Sequence, residues 1–433
     1  MNMIEILFRM ASEDMCCNTS YPMSPEFFSG YRTTDYDILD GVDSLAFYLH
    51  VPFCRSLCRF CEYTRVKNGD ELQETQYVDL LARQIETWAA DHPHSVVYGM
   101  DVGGGTPTAL SAHNFARVMK VASSLAQTGR GVDFEPSVEF SYATIDDEKI
   151  SAMSDAGFVR ASAGLQLVDE AFLSEMGRER SELGRMTSVN ARLKAAGIKK
   201  LNLDVMYGFP GQSAKSFDAT LRALDAIRPE QVTLYEMRYN MNQISHADVT
   251  RELNYALYSH LYDRLLEMGY RARFGQNTFS VSDDEGVSSY LRHRMFDGIS
   301  YKGFGISAQS MSARGIAYNS LKGYSGTRLP DLSEICEHDI YRLPGDELAA
   351  KYVAVALYGG RFRLSVVSRF ICEDASCHFA PELDYLVSGG YLSVNADGVC
   401  QVTRKGFMEY GAIAALFWSN EHKRLWLAGK EGK

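Results

Sequence analysis

The sequence predicts an α/β protein built on a parallel sheet, and three observations carry that prediction. From residue 45 onward, short β-rich runs alternate with longer stretches whose apolar residues recur at helical spacing. Alternation of this kind yields parallel strands, because each crossover has to return over a sheet face. The third observation is size: 433 residues, 46% hydrophobic and 23% charged, suffice for a large interior and for two or three structural units. Periodicity alone leaves open whether the repeating units close partly into a barrel or lie as a doubly wound sheet.

In chain order, strands are expected at SLAFYLHV (44–51), VVYGMDV (96–102), SVEFSY (137–142), VRASAGL (159–165), KKLNLDVMY (199–207) and QVTLYEM (231–237). Helices are expected near 72–91, 112–127, 146–155, 185–196, 214–227 and 248–268. Residues 275–340 are richer in Gly, Ser and Asp, which marks a transition out of the main domain. Helices near 345–358, 363–369 and 379–387, the hairpin GGYLSVNADGVCQVT with turn residues Asn395, Asp397 and Gly398, and a final helix then predict a small winged-helix-like unit. The chain thus divides into an N-terminal extension (1–44), a main domain with its following segment (45–340) and a C-terminal helical unit (341–433).

Composition excludes several classes of function. A net charge of −11 argues against a duplex nucleic acid partner, and FAPELDYLVSGGY, where a recognition helix would lie, has no Lys or Arg. That unit therefore reads as a lid or packing partner. No stretch approaches the roughly 20 apolar residues of a membrane helix, and the first 40 residues do not look like a secretory signal. Nine cysteines are then more plausible as thiols, metal ligands or catalytic groups than as disulfides, in a cytoplasmic protein.

The stretch FCRSLCRFCEY (53–63) places Cys54, Cys58 and Cys61 in CxxxCxxC spacing just after an apolar strand. A structural zinc site would want a fourth ligand, and His50 is the candidate. The alternative is a [4Fe-4S] cluster, for which four cysteines are usual, so that three leave one iron open to an outside ligand. DVGGGTPT follows the second strand, and its glycines let the backbone approach a ligand while exposing N–H groups to it; a tight turn with Pro107 opening a helix is the plainer reading. Glu139 is an acid between apolar neighbours within a strand, an expensive place for a charge without a partner. Gln166 and Asp204 lie near strand C-termini, where parallel barrels keep their chemistry.

YLHVPFCRSLCRFC resembles the opening motif of radical S-adenosylmethionine (SAM) enzymes, and within them the oxygen-independent coproporphyrinogen III dehydrogenase family, which also holds haem chaperones and class C radical methylases and cyclopropanases. The resemblance runs from about residue 45 to the C-terminus. It implies a partial (β/α)6 TIM-type barrel and a [4Fe-4S] cluster on Cys54, Cys58 and Cys61. It also implies SAM chelating the open iron, cleavage to a 5'-deoxyadenosyl radical, and a flavodoxin- or ferredoxin-type electron donor. GGGTPT matches the segment that holds the methionine end of the cofactor, which assigns Gly104, Gly105 and Thr106. By the same matching Glu139, Gln166, Arg178 (in GLQLVDEAFLSEMGR) and Asp204 (in NLDVMYGFPGQ) contact SAM, and Tyr48 and Phe60 pack on it. GFGISAQSM puts Gln309 near a second SAM molecule, and Arg238 stands where the dehydrogenase has a small residue.

Two departures bear on the reaction. The dehydrogenase has a further cysteine where this chain has Tyr63, and its substrate carries several carboxylates, whereas residues 1–40 offer Arg9 and Arg32 against seven acids. Radical methylation or cyclopropanation of a small unsaturated substrate with two SAM molecules is therefore the leading expectation, with coproporphyrinogen decarboxylation the alternative. A haem chaperone, using His246, His260, His293 or Cys336, is the non-catalytic competitor.

Overall fold

Six parallel strands carry the alternation: β1 (Ser44–Val51), β2 (Val96–Gly104), β3 (Pro136–Phe140), β4 (Arg160–Gln166), β5 (Lys200–Tyr207) and β6 (Gln231–Glu236). Each is hydrogen-bonded to the next in parallel register, from Ser44 opposite Val96 to Tyr207 opposite Glu236. This computed structural model describes residues 2–13, 29–126, 129–179, 181–239, 244–282, 284–322, 324, 329 and 337–431. All six strands expected from the sequence form, with ends displaced by a residue or two as fraying allows.

The crossover helices start where side chains can satisfy orphan backbone N–H groups. Asp70 accepts from the Leu72 N–H before Glu71–Asp91, Ser111 from Asn114 before Ala112–Leu125, Asp146 from Lys149 before Asp147–Asp155, and Thr250 from Leu253 before Arg251–Glu267. A cap of this type contributes about 1 kcal/mol. Each helix then lays an apolar stripe on the sheet. In the first, Tyr77, Val78, Leu81 and Ile85 are buried in the core shared with Leu45, Phe47 and Leu49.

Residues 275–340 do not leave the main domain, contrary to the sequence reading. Ser300–Phe304 pairs in parallel with the free side of β1, and Gln309–Ser312, Gly315–Asn319 and Glu337–Tyr341 extend the sheet beyond it as antiparallel strands. Thr278–Ser280 pairs antiparallel with β6 at the opposite edge. The Gly- and Ser-rich composition reflects close packing and tight turns. A Cβ on Gly303, for example, would meet the Gln309 carbonyl oxygen at 2.6 Å. The result is the partial (β/α)6 barrel, carried on a mixed sheet of twelve strands among the described residues.

The C-terminal unit has the winged-helix order: strand Arg361–Arg363, helices Leu364–Ile371 and Ala380–Ser388, and a hairpin of Leu392–Val394 with Val399–Val402. Three segments, Arg404–Phe407, Tyr410–Leu416 and Asn420–Glu431, replace the single final helix expected. Helix Met3–Glu13 buries Leu7, Phe8 and Ala11 in this unit's core. The unit is bound to the barrel by Arg361–Glu285 and Arg251–Glu409 ion pairs and by Phe407, which stacks on Tyr258 at 4.2 Å. Among the described residues no helix is long and apolar enough to cross a membrane.

Candidate active site

Residues two apart on a strand share a face, so the inner face of the sheet is read off directly. It presents Tyr48 and His50 on β1, Asp101 and Gly103 on β2, Glu139 on β3, Gly164 on β4, Asp204 on β5 and Tyr235 on β6. Glu139 is solvent-accessible even though it sits mid-sheet, and Tyr63 is 63% exposed. Both face a hollow and not bulk water. Burial and the neighbouring Asp204 push the Glu139 carboxyl up to about 8, and Tyr63 lies within electrostatic reach of Glu139, Tyr358 and Arg238. The hollow is the reaction chamber this site offers.

One wall of the chamber is acidic. Burial raises Asp101 and Asp204 to about 6 each, and with Glu139 they form three carboxyls under mutual repulsion. Beneath them Arg160, itself buried, donates to Gln231 Oε1 at 2.8 Å and to Ser137 Oγ at 2.9 Å and partly offsets their charge. Asp204 is fixed by the Asn202 amide at 2.7 Å, and Asp101 by the Ser288 hydroxyl at 2.7 Å. Asp101 and Arg160 escaped the sequence reading; the alternation VVYGMDVGG, which puts Asp101 on the face of Gly103, was the available signal.

The cysteine loop closes the top. Phe53–Cys54 pairs with Val66–Lys67, and Arg65 donates to the carbonyls of Cys58 at 2.9 Å and Tyr63 at 3.1 Å. Cys54, Cys58 and Cys61 are free thiols that act electrostatically on one another. Burial drives Cys54 up to about 12 and raises Cys61, while Arg65 and Arg178 pull the other way and favour thiolates. Arg178 Nη1 lies 3.7 Å from Cys58 Sγ. Among the described residues no three His, Cys, Asp or Glu side chains converge tightly enough for a single metal ion. His50, the fourth zinc ligand considered above, is buried, held neutral with its pKa lowered to about 4, and donates from Nε2 to the Thr64 carbonyl at 2.8 Å.

The structure assembles most of the remaining expected residues. Gln166 and Arg178 meet over Gly164, where a Cβ would find Gln166 Nε2 and Arg178 Nη2 each at 2.6 Å. Gln166 takes a left-handed φ of 62° and its buried Oε1 has no hydrogen-bond partner, so a ligand donor is what it lacks. Phe60 packs edge-on against Phe209 beside Cys58, and Tyr48 stacks on Tyr290 at 5.9 Å. Gln309 lies in Tyr48's row, two strands away, with its amide engaged by Tyr301 and Tyr318. Arg238 caps the Tyr358 ring at 5.2 Å on the wall facing Tyr63.

The glycine turn differs from expectation. The N–H groups of Gly104, Gly105 and Thr106 do not point at a ligand: they donate to Glu139 Oε2 (3.2 Å), the Val51 carbonyl (2.8 Å) and the Phe53 carbonyl (2.7 Å). What requires glycine is proximity. A Cβ on Gly103 would strike the Glu139 carboxyl, one on Gly104 the His50 ring, and one on Gly105 the Pro52 and Phe53 backbone that leads into Cys54. Pro107 opens a short 3-10 turn, and the following helix starts only after Ser111.

Three cysteines on one loop, an orphaned Gln166 acceptor and a glycine-floored cradle facing carboxyls suit a thiolate-bound cluster with a cationic cofactor beside it. Residues 48–224 match the family described as the Radical SAM superfamily. That stretch is a radical SAM domain. Such a domain implies a [4Fe-4S] cluster and SAM. Across 92% of both chains the protein is 28% identical to anaerobic coproporphyrinogen III oxidase 1 of Cereibacter sphaeroides. To the haem chaperone HemW of Lactococcus lactis it is 27% identical over 63% of this chain and 71% of that one. Among solved structures, coproporphyrinogen III oxidase (HemN) of Escherichia coli, described as a radical SAM enzyme, superposes with a TM-score of 0.72. That likeness spans 94% of this chain and 98% of that one at 22% identity, and shows a shared fold. These relatives are oxidoreductases and a chaperone, not methyltransferases, and lend the methylation expectation no support.

Proposed function

We propose that this radical SAM enzyme oxidises a carboxylate-bearing tetrapyrrole, with oxidative decarboxylation of coproporphyrinogen III as the specific reaction. The observation that carries this reading is the match to coproporphyrinogen III oxidase, which covers 92% of both chains and so includes the C-terminal unit that closes the chamber. The structure adds a reason why few cations in residues 1–40 do not count against it. Arg32 is tied to Asp339 on the outer sheet and Arg9 is exposed on its helix, whereas Arg238, a cation on the chamber wall, lies just after β6.

In this reading Cys54, Cys58 and Cys61 hold the cluster, and Glu139, Gln166, Arg178 and Asp204 hold SAM. The bound pair supplies reductive SAM cleavage and hydrogen-atom abstraction from the substrate. The chain's own residues set charge and orientation. SAM carries a sulfonium and an ammonium against one carboxylate, so the acidic wall offsets its net positive charge, while Arg178 faces the carboxylate. Electrons would come from a flavodoxin- or ferredoxin-type donor.

Methyl transfer to a small unsaturated substrate from a second SAM is the second reading, favoured by Tyr63 and Arg238, which narrow the chamber where the dehydrogenase has smaller side chains. Anaerobic reconstitution with iron, sulfide, reductant and SAM, followed by chromatography, decides. Oxidation of coproporphyrinogen III predicts 5'-deoxyadenosine and carbon dioxide without S-adenosylhomocysteine; S-adenosylhomocysteine formed with substrate would reverse the order. Haem retention without turnover would favour the chaperone. Its candidate ligands are scattered: His246 stacks on Tyr239, His260 is on helix Arg251–Glu267, His293 pairs with Asp297, and Cys336 lies outside the described residues.

A further inference from the structure

A second pocket opens where the sheet beyond β1 meets the C-terminal unit, walled by Arg294, Tyr301 and Met311 on one side and Lys351, Val355 and Phe370 on the other. Arg294 projects from a π-helical turn, His293–Asp297, a widened geometry that recurs at functional sites. Its guanidinium lies over the Tyr301 ring at 4.4 Å and is held by the Tyr301 hydroxyl, by the Tyr290 hydroxyl at 3.3 Å and by Gln309 Oε1 at 3.5 Å. Its Nε is buried without a hydrogen-bond partner. The groups acting most strongly on its charge are the hydroxyls of Tyr290 and Tyr301, with Asp101 sensing it through space.

Lys351 is 2% exposed in the same pocket, and burial together with Arg294 pushes its ammonium down to about 7. Two cations of like sign held together away from water repel, and an anion between them relieves both the repulsion and the desolvation. Met311, Val355 and Phe370 are apolar and suit a short aliphatic stem. Tyr301 packs edge-on to Tyr290, which stacks on Tyr48, so a continuous row of rings joins the pocket to the chamber.

We infer that this pocket is a carboxylate subsite, in which the terminal carboxylate of a propionate-like arm enters between Arg294 and Lys351. An amino-acid carboxylate fits less well, since its adjacent ammonium would face the two cations. The assignment rests on the proposed tetrapyrrole substrate only for the source of the arm; the anion chemistry stands on the two cations.

The test uses reconstituted protein with 3-bromopropionate as probe in crystals and propionate in solution, the latter compared with chloride at equal ionic strength. The expected results are a bromine anomalous peak beside Arg294 and Lys351, and a propionate-specific rise in Tm that disappears in Lys351→Met. Circular dichroism and the Tm of Lys351→Met without propionate establish that the variant is folded, and the bromine experiment is read on the parent protein. No bromine in the pocket, a peak without the propionate-specific rise (binding at crystal concentration only), or an undiminished rise in Lys351→Met would each overturn the assignment.

Steady-state kinetics distinguish the sources. An increase of about tenfold in the tetrapyrrole KM of Lys351→Met assigns the arm to substrate, and the same increase in the SAM KM assigns it to the cofactor's carboxylate. Should the protein turn over no tetrapyrrole, the proposed reaction fails, while the bromine and melting experiments still decide the pocket.

Discussion

The two walls of the chamber are built on different terms. On the acidic wall Asp101, Glu139 and Asp204 project from adjacent regions of three parallel strands above Arg160, each held by a short hydrogen bond or by sheet register. On the opposite wall Tyr63, Tyr235, Arg238 and Tyr358 come from the cysteine loop, the end of β6, the segment after it and the C-terminal unit. The first wall is fixed by backbone geometry and suits a cationic cofactor common to a superfamily. The second depends on how separate segments meet and can change with the substrate while the sheet stays as it is. Mutations should therefore separate them.

The largest effect is expected above both walls. Cys58→Ala should lose the broad cluster absorbance and all SAM cleavage, read as 5'-deoxyadenosine; retention of either would remove the proposed ligand set. On the acidic wall, Glu139→Gln should keep the cluster and raise the SAM KM roughly ten- to a hundredfold, as loss of a charge-assisted hydrogen bond of about 1.5–3 kcal/mol implies. On the opposite wall, Arg238→Met should raise the KM for the carboxylated substrate about tenfold. A matching rise in the SAM KM instead would place a second SAM against Arg238.

The smallest effect concerns pH. Glu139 at about 8 and Asp101 and Asp204 at about 6 all lie above ordinary carboxyl values, so the folded cofactor-free protein binds more protons than the unfolded chain. Their contribution to stability is therefore complete below about pH 4 and is lost as pH rises toward 8. The Tm of the cofactor-free protein should fall across that window, and less steeply in Glu139→Gln; equal slopes would mean that solvent in the chamber screens the carboxyls. SAM binding should release protons near pH 7, visible by calorimetry in buffers of different ionisation enthalpy.

Much of the first wall was legible in the sequence, because sheet register is. Strands of period two placed Tyr48, Glu139 and Asp204 facing inward, and cysteine spacing located the top of the chamber. The backbone's own hydrogen bonds were not legible: the GGGTPT turn looked like a cradle of N–H donors and proved to spend Gly104 on Glu139, Gly105 on the end of β1 and Thr106 on the start of the cysteine loop. Nor was the continuation of the sheet through 278–341, since strands of three to five residues give too few periods to detect. The second wall was invisible for a different reason. Tyr358 reaches Arg238 across 120 positions, a pairing that no local pattern encodes.

Helix Met3–Glu13 buries Leu7, Phe8 and Ala11 among residues near the other end of the chain, with Phe8 against Tyr385 and Tyr391. During synthesis this helix emerges well before the residues it packs on. Contacts spanning nearly the whole sequence close slowly, because the loop between them has to be ordered first. The apolar face of this helix thus waits, exposed, until those residues have emerged, and in that interval it is open to aggregation.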